Sequence, residues 1–205
     1  VESEFYFVTT ITPRTTASYT DNTGDDVIVT NRTLEEHGDA PPQGANFVEP
    51  HKQRLRWGRT NANPRRLQWS ATGQPDQVGT NNYLDFTDES HGSIGDIITG
   101  LSGDYDGMLV VFQEQSIWTV SGTGNIQSNG VADWRRTRTN AITGTVSHNS
   151  VMTVPAGAVY TDASGQSVSV AKNVLAYFTP LGDIRLFDGN NDTIISTPVK
   201  TTLSG

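Results

Sequence analysis

The chain has 205 residues, no cysteine and a formal net charge of −8. That length holds one large β domain or two smaller ones. The missing cysteines exclude disulfides, thiolate metal sites and cysteine nucleophiles, and the acidic balance argues against a general nucleic-acid binder, which presents a basic face. Low hydrophobic (34%) and charged (18%) fractions beside 20 glycines favour short strands with many turns over helices. No apolar run approaches the ~20 residues of a membrane-crossing helix.

In chain order, residues 3–11 and 15–19 read as strands, and the acidic, turn-rich Asp21–Asp25 follows them. Val27-Ile-Val29 reads as a short apolar run. Thr33 and Glu36 have the spacing of a capping box and predict one helical turn. Gly38-Asp-Ala-Pro-Pro-Gln-Gly44 cannot lie inside a sheet, so a domain boundary is placed there. Residues 1–40 are assigned as the last strands of a small β-sandwich plus a linker, and 41–205 as the second domain.

The second domain is organised around hairpins. Leu109 to Phe112 is an apolar run, Gln113–Ser116 a four-residue polar turn, and Ile117, Trp118 and Val120 the return strand, ended by Ser121-Gly122. The same form recurs at Val174 to Gly189, with Leu175–Phe178 as the run, Thr179–Asp183 as the turn and Ile184–Phe187 as the return. A looser copy joins Leu55–Gly58 to Leu67–Gly73 through a long turn containing Pro64. Around the copies come Phe47-Val48, a polar Thr80–Phe86 with aromatic anchors at Tyr83 and Phe86, Trp134–Thr139 with alternating aromatic and arginine, and the brief Val168–Val170, while Ile94–Leu101, Ser147–Val154 and Gly157–Thr161 read as strands. Ser102–Gly107 and Asp162–Gly165 read as tight turns. No amphipathic helix emerges.

Gly73 and Gly122 close successive hairpins at a spacing near the ~40–50 residues of one propeller blade. The longer interval from Gly122 to Gly189 needs an insertion or an extra hairpin. The expected fold is therefore all-β: a partial β-propeller of short antiparallel sheets, preceded by the end of an immunoglobulin- or fibronectin-like sandwich.

Thr15-Thr-Ala-Ser-Tyr-Thr-Asp-Asn-Thr, Gly38-Asp-Ala-Pro-Pro-Gln-Gly and Gln53-Arg-Leu-Arg-Trp-Gly-Arg-Thr-Asn come in a distinctive order, followed by Leu67-Gln-Trp-Ser-Ala-Thr-Gly-Gln-Pro-Asp and the Gly107 hairpin. In this the chain resembles the β-propeller tail proteins of tailed bacteriophages, the nozzle (tail tubular protein B-like) and related hub proteins. The resemblance implies a non-enzymatic virion component, assembled in the host cytoplasm into a ring of its own copies around the DNA exit channel. Other tail or connector proteins would be its neighbours, and viral DNA would pass through. It implies no catalytic residue, no cofactor and no metal. About three to four blades after Pro42 do not close a typical propeller, so further blades are expected outside this sequence. Its opening at Val1 and ending at Gly205 likewise read as a piece of a longer protein.

Candidate chemistry was weighed on the residues themselves. The histidines His37, His51, His91 and His148 lack metal-ligand spacing and read as surface or turn residues. Carboxylates pair at Asp25/Asp26, Glu35/Glu36 and Asp104/Asp106. The last pair keeps open a carbohydrate-active or carbohydrate-binding propeller for host-surface recognition, although its Gly-flanked setting reads first as a turn. Asp188-Gly-Asn-Asn-Asp192 resembles the start of a calcium loop but lacks the later glycine and glutamate, so a tight turn is expected. Arginine carries the most information. Arg54, Arg56, Arg59, Arg65 and Arg66 crowd one hairpin, and Arg135, Arg136 and Arg138 another. Strand alternation puts Arg54 and Arg56 on one face and Leu55 and Trp57 on the other. The eight arginines are the candidate contacts to phosphate or to a neighbouring acidic subunit, against the alternative of solvated strand faces paired with local carboxylates. The four tryptophans are expected to pack between sheets.

Overall fold

The computed structural model describes residues 20, 22–28, 40–79, 81–87, 96–125, 132–162 and 164–196. The chain divides into two compact units, Val1–His37 and Gly38–Gly205. Described residues of the first unit hold one helical turn, Asp25–Ile28, with the Val27 N–H donating to the Gly24 carbonyl at 2.9 Å. The first two residues of the short apolar run, Val27 and Ile28, are therefore helical. The strands expected at 3–11 and 15–19, the turn capped by Thr33 and most of the sandwich assigned to 1–40 lie outside the described residues.

The second unit is built from small antiparallel sheets, none closed on itself. The first sheet has strands β1 (Phe47–His51), β2 (Arg54–Gly58), β3 (Arg66–Trp69) and β4 (Tyr83–Asp85), paired in chain order. The second has β5 (Ile98–Tyr105), β6 (Met108–Gln113), β7 (Ile117–Ser121) and β8 (Arg135–Arg138), again in chain order. Then follow β9 (Met152–Val154), β10 (Val159–Thr161), β11 (Ser167–Ser169), β12 (Val174–Phe178), β13 (Ile184–Phe187) and β14 (Asp192–Ile194). Of these, β9, β12, β13 and β14 form a third four-stranded sheet, while β10 and β11 pair separately as a hairpin within the long Gly122–Gly189 interval.

Turn chemistry sets these meanders. Lys52 and Gln53 join β1 to β2 with φ of 48° and 59°, and Asp106 and Gly107 join β5 to β6 with φ of 52° and 71°. Two consecutive left-handed residues match the twist of the flanking strands, and Asp-Gly is a favoured pair for this. The tight turn expected over Ser102–Gly107 thus shrinks to Asp106-Gly107, and β5 continues through Tyr105. Register shifts after Ile98 and after Ser102 absorb the irregularity within β5. At Gly103 a side chain would collide with the Pro50 carbonyl oxygen, so this glycine serves a close approach between strands and not a turn. The strand expected at Ser147–Val154 also opens differently. His148–Ser150 form a 3₁₀ turn whose Asn149 N–H donates to the Ser147 hydroxyl, and β9 begins only at Met152.

The sheets stack by their faces. Leu67, Trp69 and Phe86 of the first sheet and its flank pack on Leu101, Leu109, Val111, Trp118, Val120 and Trp134. Val110, Phe112 and Ile117, on the opposite face of β6 and β7, pack on Leu175, Tyr177 and Phe187 of the third sheet. This two-sided burial explains why Leu109–Phe112 is continuously apolar and not alternating. Each such side chain contributes about 1.5–3 kcal/mol on burial. The outer face of the third sheet, at Val174, Ala176 and Leu186, is covered by Val170, Ala158 and Tyr160 from the extra hairpin and its flanks. β1 lies beside β5, and β5 beside the 3₁₀ turn that leads into β9, so the first strands of the sheets converge on one side.

A buried polar knot closes the β6–β7 turn. The Gln113 amide donates to the carbonyls of Phe86 and Asp96, both at 3.1 Å, and its oxygen accepts from Trp118 Nε1 at 2.8 Å. Asp96 accepts from the Glu114 and Gln115 N–H groups and from the Ser116 hydroxyl. Every acceptor here serves a fixed donor, as a buried network requires.

Candidate functional site

The eight arginines do not make one surface. Arg54, half-buried, donates to the carbonyls of Ser70 (2.8 Å) and Gly124 (3.2 Å). Arg56 is fully buried. Its guanidinium carbon lies 4.0 Å from the ring centre of Trp134 and 5.2 Å from that of Trp69, and none of its nitrogens has a hydrogen-bond acceptor. Burial, with the neighbouring Arg54 charge, pulls its pKa down to about 9. Arg66 makes a two-pronged pair with Asp85 at 2.7 and 2.8 Å and stacks 3.7 Å from the Tyr83 ring. That hydrogen bond raises its pKa. Arg59 and Arg65 are half-buried, as is Arg138, while Arg135 and Arg136 are exposed on β8. Arg56 thus leaves the expected basic surface, Arg54 directs its donors to backbone carbonyls, and Arg66 is paired with a local carboxylate on a part-exposed strand face. Alternation on β2 misleads because Trp57 on its other face is also buried, at 6% exposure.

Among the described residues, the carboxylates singled out lie in a turn, in an internal pair or, for the Asp104 backbone, in β5 and not in the expected turn. Asp106 sits in the β5–β6 turn. Asp188 accepts from the N–H groups of Asn190 (2.9 Å) and Asn191 (2.8 Å), which is the expected tight turn. Asp192 points elsewhere: it accepts from Arg185 at 2.7 Å and from the Tyr177 hydroxyl at 3.0 Å, within a buried ion pair. Burial beside Asp192 raises the Tyr177 pKa well above its ordinary value.

One histidine, His51, departs from the surface or turn reading; His148 lies half-buried in the 3₁₀ turn, and His37 and His91 lie outside the described residues. His51 is buried, and its Nδ1 donates to the Gly103 carbonyl at 2.5 Å. His148 Nδ1 accepts the Leu101 N–H at 3.3 Å, which leaves Nε2 to carry the ring proton toward Glu49 Oε1, 3.4 Å away. This pair borders a polar cleft of about 260 Å³, walled by Glu49, Ser102, His148, Asn149 and Thr153, where β1, β5, the 3₁₀ turn and β9 meet.

No protein-family model and no curated protein matches this chain. The site must therefore be read from its geometry. Glu49 and His148 escaped sequence reading because neither stands in a motif. Only the approach of β1 to β5 brings them together, and the glycine in that approach, Gly103, was the single available signal. Arg59, Arg135 and Arg136 remain the arginines best placed for an external phosphate or carboxylate.

Proposed function

We propose that the chain is a structural component of a bacteriophage tail, a nozzle or hub protein, whose sheets are blades of a β-propeller assembled in a ring around the DNA exit channel. The observation that carries this reading is the stack itself: two successive four-stranded antiparallel meanders and a third four-stranded sheet interrupted by a hairpin, packed face on face with their first strands converging. Radial repetition of such sheets is how a propeller covers faces that no single small sheet can cover. The resemblance to phage tail propellers supplies the setting, with residues 1–40 as the end of a preceding sandwich. Copies of the chain, other tail or connector proteins and DNA in transit are its partners, and the virion its location.

The electrostatics suit passage more than capture. A net charge of −8 repels a polyphosphate overall, while Arg59, Arg135 and Arg136 offer local contacts to phosphate or to an acidic neighbour. The test is native mass measurement and electron microscopy of the purified protein, with immunolabelling of purified virions. Rings, and label confined to the tail, are expected. A strictly monomeric protein absent from virions would overturn the proposal.

A further inference from the structure

We propose that the cleft between β1, β5 and the 3₁₀ turn binds a single sugar residue, through Glu49, His148 and Asn149 with the hydroxyls of Ser102 and Thr153. The inference stands apart from ring assembly and uses none of the residues invoked for it. At about 260 Å³ the cleft falls below the ~300 Å³ where pockets for drug-sized ligands begin, so its occupant is small.

The polar groups are held before any ligand arrives. The Leu101 N–H fixes the His148 ring with its Nε2 proton toward Glu49. The other Glu49 oxygen lies where a Cβ on Gly103 would come within 2.9 Å, so a side chain at 103 would displace the carboxylate. Glu49 and His148 side chains are 25% and 28% exposed, which leaves both within reach of a ligand.

The mixture of groups selects the chemistry. Glu49 accepts only, and its charge opposes phosphate or sulfate. The His148 N–H donates and the Asn149 side-chain amide both donates and accepts, so the group offers a bare cation too few acceptors and an anion too few donors. A ligand hydroxyl both donates and accepts, so neighbouring hydroxyls satisfy Glu49 and the donors together. Val151 and Met152 add only a small apolar surface beside these polar groups, enough to border the C–H edge of one sugar ring.

The experiment is saturation-transfer NMR on the full chain with a panel of methyl glycosides, and with inorganic phosphate and butylamine as class controls. At least one glycoside is expected to bind at millimolar concentration or tighter. Binding should weaken about tenfold or more in Glu49→Gln, the loss expected when a charged acceptor is removed. Asn149→Ala, an exposed position, should weaken it too while leaving the melting temperature unchanged, and it keeps the test valid if Glu49→Gln unfolds. Three results would each overturn the proposal: no glycoside binding to the wild type, binding that survives both variants, or a preference for butylamine or phosphate.

Discussion

Replacing Arg56 by methionine should stabilise the protein. The side chain is fully buried, with no acceptor for any guanidinium nitrogen. Lowering its pKa from 12.5 to about 9 corresponds to about 5 kcal/mol against the charged form, at 1.36 kcal/mol per pKa unit. Stacking between Trp134 and Trp69 returns part of this, about 2 kcal/mol for each well-placed desolvated ring. The net cost is therefore about 1–3 kcal/mol. Methionine has comparable length, no charge to desolvate, and sulfur–aromatic contacts worth about 0.3–1.5 kcal/mol. Arg56→Met is expected to gain about 1–2 kcal/mol and a few degrees in Tm. Arg56→Ala should lose about 2–5 kcal/mol by opening a cavity. Arg56→Lys should also lose stability, because a compact ammonium is more strongly hydrated and has no planar face to lay on the indoles. Urea unfolding of the three variants, with m-values compared to wild type, gives the answer. If Arg56→Met lost several kcal/mol while Arg56→Lys was tolerated, the positive charge itself would be required and the reasoning would fail.

Three further outcomes follow from other buried or looped groups. Asp192→Asn breaks the buried pair with Arg185 and weakens the Tyr177 contact; about 3 kcal/mol should be lost in urea unfolding, the low end for such pairs because Asp183 stands 3.8 Å from the same guanidinium. Gln113→Leu leaves Trp118 Nε1 short of its amide acceptor and two buried carbonyls short of a donor, and about 3 kcal/mol of stability should go with them, read as a lower denaturation midpoint at unchanged m. The Thr123 hydroxyl and its neighbouring N–H groups hold the Asp133 carboxyl below the usual range, and the Ser164 hydroxyl and Gln166 N–H do the same for Asp162. Their depressed folded-state pKa values mean that these loops contribute stability above the unfolded value of about 3.9 and lose it as pH falls through the folded values. Carboxyl NMR titration should place both midpoints below 3.9, and a midpoint at or above it would contradict the loop geometry.

What could be read in advance was whatever depends on neighbours in sequence. The Gly107–Gly122 and Val174–Gly189 hairpins were legible because apolar runs bounded by turn residues specify strands locally, and the continuous run in β6 reported burial on both faces. Ser102–Gly107 misled because glycine has two uses, and at position 103 it permits a backbone approach from β1. His148 belongs by composition to a strand, but the Ser147 hydroxyl caps a 3₁₀ turn and the Leu101 N–H of β5 holds the ring, and the second contact has no trace in the local sequence. Arg56 misled for a related reason: alternation assigns a face, but it cannot show that Trp134, from another sheet, closes over that face. The Glu49–His148 pair lies across the same kind of seam and has no local trace.

The second sheet has apolar side chains on both sides, so it cannot survive the removal of either neighbour as a tidy smaller domain. A truncation that strips one flank would uncover Met108–Phe112, a short uncharged stretch rich in β-branched residues, of the kind that pairs readily with copies of itself. Aggregation, more than simple loss of fold, is then the hazard of cutting this chain between its sheets, and it sets a minimum number of sheets that must stay together.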